Sequence, residues 1–98
     1  LQQARNNIIN QVRDAIRGVE TNRQRIEVGR ATVEFNRAKV DTGRQRQEVG
    51  LATSFDVLLF QRDLANARIG LLRSVVDYNK ALVVLEQNKG TLLDSLGI

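Results

Sequence analysis

Ionisable side chains are where chemistry would begin, and in this chain their types argue against catalysis. Among 98 residues there is no histidine and no cysteine. Neither a nucleophile activated by a neighbouring base nor a nitrogen–sulfur metal cage can therefore be assembled. The eleven carboxylates are strung along the chain rather than gathered, so no catalytic, metal-binding or cofactor-binding residue is assigned and no enzyme activity is expected. The charges instead keep a period. Glu20, Glu27, Glu34 and Asp41 recur every seven residues, as do Arg23, Arg30, Arg37 and Arg44. Each acid stands three residues before one arginine and, from Glu27 on, four after another, the spacings at which helical side chains meet. Exposed pairs of this kind contribute only about 0.3 to 0.5 kcal/mol each. The ladder reads as a device that solubilises and orients a long helix.

The net charge of +4 and pI near 10.3 raise the question of nucleic acid. Most arginines already have acidic neighbours at helical spacing, so a free phosphate-binding face is not expected and nucleic acid is not assigned as a partner. Three phenylalanines, one tyrosine and no tryptophan, methionine or proline are poor material for a thick globular core. A slender helical assembly is expected. No apolar run approaches the roughly 20 residues a membrane helix needs, and no signal peptide pattern is present. The segment is expected to be water-soluble and to make no membrane contact itself. Opening on Leu1 rather than methionine, it is expected to belong to a longer protein. The lack of cysteine rules out a disulfide without deciding the compartment.

One stretch, Glu48 to Leu58, reads EVGLATSFDVL and carries a full set of stop and start signals. Gly50 can take the left-handed conformation that closes a helix, so the incoming helix should end near Val49. Thr53 or Ser54 can accept a hydrogen bond from the first free amides of the next helix. Asp56, three residues after Thr53, completes a capping box and meets the positive end of the helix dipole. The outgoing helix should start near Phe55, with Leu51 and Phe55 stapling the short connection. A loop this short makes the two helices antiparallel neighbours.

The arms on either side ask for the same register. Val12, Val19, Ile26, Val33 and Val40 form one seven-residue line; Ile8, Ala15, Asn22, Gly29, Asn36 and Gly43 form its companion, which is too small and polar for a self-sufficient coiled coil. Gly18, Gly29 and Gly43 each cost about 0.5 to 1 kcal/mol in a helix interior, and close approach by another helix is the natural compensation. In the second arm Val57, Leu64, Leu71, Tyr78 and Leu85 form a line that Leu92 would continue. Folding the chain at residue 52 sets Val40 beside Leu64, Val33 beside Leu71 and Val19 beside Leu85. The fold class is therefore all-α: a long two-helix antiparallel coiled-coil hairpin. Its helices are expected over 1–49 and 55–89, its tip over 50–54, and its tail over 90–98, with a break at Gly90 and a short extra helical turn from Thr91. Val28, Ala31, Phe35 and Ala38 on one arm, and Leu58, Ala65, Leu72 and Val76 on the other, would remain uncovered and predict self-association.

EVGLATSFDVLLFQRDLANAR followed by VVDYNKALVVLEQNKGTLL resembles one repeat half of the TolC-like outer-membrane efflux proteins. The match runs through Val49, Gly50, Leu51, Thr53, Asp56, Val57, Leu58, Gln61, Leu64, Ala67, Arg68, Asp77, Tyr78, Asn79, Ala81, Leu85 and Gly90, and is dense from Gln47 to Leu93. The resemblance implies a structural part of an export duct used in efflux or type I secretion: trimers of long helical hairpins forming a periplasmic tunnel beneath an outer-membrane barrel. It further implies that the hairpin tip meets the periplasmic adaptor of a tripartite pump, with Val49, Gly50, Leu51, Thr53, Asp56 and Val57 forming the partner-binding tip. The barrel strands and second repeat of that family are not among these residues. A generic coiled-coil interaction module is the alternative, and a basic nucleic-acid-binding helix pair the more distant one.

Overall fold

The computed structural model describes residues 2–97, and among them there are two helices and no strand: α1, Gln2–Glu48, and α2, Ser54–Ser95. The architecture is the all-α helical hairpin that the periodicities require. α1 runs 47 residues without a proline, and its polar seam residues are satisfied within the helix. Asn22 donates to the Gly18 carbonyl at 2.8 Å and Asn36 to that of Thr32 at 2.8 Å. Closing on their own backbone, these amides can sit at a helix interface without an unpaired polar group.

Two compact units divide the chain, residues 25–74 and the combination of 1–24 with 75–98. In the first, Val33, Val40 and Leu64 form a buried cluster with Phe60, Ala67 and Leu71 packed against it. The companion line is small because α2 fills its place. A Cβ at Gly29 would lie 3.1 Å from Leu71 Cδ1, and one at Gly43 only 2.7 Å from Phe60 Cδ2. Both glycines are close-packing positions. Lys39 ties the helices together on one flank, its Nζ 3.3 Å from Asp63 Oδ2 and 5.0 Å from the centre of the Phe60 ring. Each well-buried Val or Leu contributes roughly 1.5 to 3 kcal/mol. No large side chain among the described residues is fully buried, so this core is thin for helices of such length.

In the other unit Leu85 is buried, while Ile8, Val12, Val19, Tyr78 and Leu92 are half-buried. Asn88 Nδ2 donates across to the Gln11 carbonyl at 3.4 Å. The expected break at Gly90 does not occur. α2 continues to Ser95, the Thr91 hydroxyl donates to the Gln87 carbonyl at 3.1 Å, and half-buried Leu92 extends the seam. An exposed glycine weakens a helix without ending it when the apolar pattern continues beyond. The stop signal is Gly97, with φ of 74° and its amide donating to the Asp94 carbonyl at 3.1 Å.

Candidate docking tip

At the end of α1 the backbone closes in a Schellman motif. Gly50 has φ of 79°; its amide donates to the Gln47 carbonyl at 3.1 Å, and the Leu51 amide to the Arg46 carbonyl at 2.7 Å. Two otherwise orphaned carbonyls of the last turn are satisfied by this arrangement. Five residues, 49–53, separate the helices.

α2 opens with the reciprocal half. The Asp56 amide donates to Thr53 Oγ1 at 3.1 Å, and the Thr53 amide donates to Asp56 Oδ2 at 3.0 Å. Thr53 is thus the cap and Asp56 the third helical residue of a complete capping box. Gln47 Nε2 donates to Ser54 Oγ at 2.7 Å, joining the two helix ends directly. No spacing rule predicts that last contact, because it forms only once the hairpin has closed.

The apolar residues sort into two groups. Val49, Leu51 and Phe55 are 70, 77 and 65% exposed, so Leu51 and Phe55 do not staple the turn as expected. The staple positions are instead Ala52, half-buried before the cap, and Val57, buried at the fourth helical position. These are the positions before the cap and at the fourth helical residue where a staple forms, and the larger Leu51 and Phe55 stay outside. Of the six residues expected at the tip, Gly50, Thr53 and Asp56 hold its shape, Val49 and Leu51 stand in solvent, and Val57 is withdrawn beneath it. Phe55, expected only as a staple, joins the exposed group.

The charge ladder forms in part. Arg23 Nη2 lies 2.6 Å from Glu20 Oε1 and Arg37 Nη1 3.2 Å from Glu34 Oε1. Hydrogen bonding from Arg23 is the main cause holding the Glu20 carboxyl below the usual carboxylate range. Among the described residues Asp41 and Arg44, at the same spacing, make no ion pair. Nor do these residues contain a group of three or more side chains able to hold a metal, or a helix long and apolar enough to cross a membrane.

Two long helices joined by a turn that is capped on both sides define a structural helical-hairpin module. Residues 1–91 match the outer membrane efflux protein family, and the chain belongs to that family. It is part of an outer-membrane efflux channel, of a family that transports rather than catalyses and whose helical region is periplasmic. Neither the curated proteins nor the solved structures provide a match.

Proposed function

We propose that α1 and α2 form part of the wall of a trimeric periplasmic tunnel and that the tip docks a periplasmic adaptor protein in a tripartite export system. The observation that carries the docking role is the exposure of Val49, Leu51 and Phe55 on a turn fixed at both ends. A turn already held by its own hydrogen bonds loses little further freedom when a partner binds. Each large apolar side chain covered there contributes roughly 1.5 to 3 kcal/mol, and two or three suffice for a contact that can be made and released. Gly50, Thr53 and Asp56 then act through shape, and Val57 anchors the turn from beneath.

The test is co-purification of the adaptor with the full-length protein carrying Leu51→Asp and Phe55→Ser. Both positions are exposed, so folding and trimer assembly should survive while adaptor recovery and export fall at least tenfold, the consequence of losing about 1.4 kcal/mol or more. Undiminished adaptor recovery and export in the double variant would remove the tip from the docking surface.

A further inference from the structure

Each cap at the tip works on its own side of the turn. The Schellman closure ties residues 46 and 47 to 50 and 51, and the capping box ties residue 53 to residue 56. Ala52 lies between them. Neither device fixes its two backbone dihedrals, the freedom by which one helix end could swing against the other. A single bond spans the gap: Gln47 Nε2 donates to Ser54 Oγ at 2.7 Å. Among the described residues no other hydrogen bond joins 46–51 to 53–57. Neither side chain is spent on capping, because backbone amides satisfy the carbonyls of Arg46 and Gln47 and Thr53 is the cap. Gln47 is also the next position on the line of Val33 and Val40, where an apolar residue would extend the seam. Helix packing does not ask for an amide there; a reach across the turn does.

We infer that Gln47 and Ser54 are positioning residues for docking, acting through Val49, Leu51 and Phe55 without touching the partner. Val49 and Leu51 are carried by the closure of α1, whereas Phe55 stands on the first turn of α2. A partner that covers all three needs the two helix ends in one relative position, and the Gln47–Ser54 bond holds them there. Without it the partner must order the turn as it binds, and that ordering subtracts from affinity. Length matters as well as the amide, since asparagine is one methylene too short to span the turn. The inference rests on the docking role proposed above for the three apolar residues.

The test uses the full-length protein and the purified adaptor recovered with it. Two quantities are read for each variant: adaptor affinity by biolayer interferometry, and amide hydrogen exchange across 47–57 without adaptor. Gln47→Leu keeps both caps, and glutamine and leucine have nearly equal helix propensity, so the thermal midpoint should not fall. Exchange at 51–55 should nevertheless quicken roughly threefold or more, as expected when a local opening becomes easier. Adaptor binding should weaken roughly threefold to tenfold, the scale of one net hydrogen bond. Gln47→Asn and Ser54→Ala should behave alike, and Ser54→Thr, which retains the hydroxyl, should match the unaltered protein. Gln47→Leu combined with Ser54→Ala should be no worse than either alone, because both remove one shared bond. Unaltered affinity in Gln47→Leu and Ser54→Ala, while Leu51→Asp with Phe55→Ser still loses the adaptor, would overturn the positioning role and leave the docking reading standing. Losses that add in the combined variant, or that come with unchanged exchange, would also overturn it by making the two residues direct contacts. Undiminished binding in Leu51→Asp with Phe55→Ser would remove both readings.

Discussion

Gly50 and Thr53 carry the geometry of the tip. At a φ of 79° an L side chain costs about 1 to 2 kcal/mol, so Gly50→Ala should destabilise the hairpin by that amount in urea unfolding. Thr53→Ala removes the acceptor for the Asp56 amide and should cost about 1 kcal/mol. The bond from the Thr53 amide to Asp56 survives that change because its donor is backbone. At Glu20 the prediction concerns pH. Its folded pKa is depressed, chiefly by hydrogen bonding to Arg23. Whatever stability the pair contributes is present above the unfolded pKa and is lost as pH falls through the folded one. Arg23→Gln should therefore raise the Glu20 pKa in a carboxylate NMR titration; an unchanged value would mean that the pair does not form in solution.

The two helices place opposite demands on their glycines. Nothing lies within 4 Å of the position a Cβ would take at Gly90, and the helix runs through it. Gly90→Ala should stabilise by about 0.5 to 1 kcal/mol. At Gly43 the same change drives a methyl to 2.7 Å from the Phe60 ring. Overpacking of that sort costs about 1 to 3 kcal/mol, more than the gain in helix propensity, so Gly43→Ala should lower the midpoint of thermal unfolding where Gly90→Ala raises it. This contrast also shows what the sequence could convey. The seven-residue lines, the Gly50 stop and the Thr53–Asp56 box were legible because local spacing determines each of them. Gly43 was legible as a close-packing site, although not that Phe60 would fill it. Gly90 misled because a glycine is only a permissive stop; the continuing seam at Leu92 and the second glycine at Gly97 decided where α2 ends. The exposure of Phe55 was hidden for a related reason: whether a residue beside a cap staples it or leaves it depends on how its neighbours fit beneath the turn.

For the whole molecule, the thin seam and the breadth of uncovered apolar surface belong together. Val28 and Phe35 on α1 and Leu58 and Leu72 on α2 are each more than half exposed, beyond what scattered surface residues require. The isolated chain should self-associate in sedimentation experiments, and Phe35→Ser with Leu72→Ser should shift it toward the monomer. Under the proposed function those surfaces are contacts within a channel wall of the outer membrane efflux protein family, and the tip is the contact beyond it. A photo-crosslinking side chain in place of Leu51, in the full-length protein within its own cell envelope, tests that account most directly. Capture of a periplasmic adaptor is the predicted result; capture of only neighbouring copies of the channel protein, with the adaptor present and export running, would contradict it.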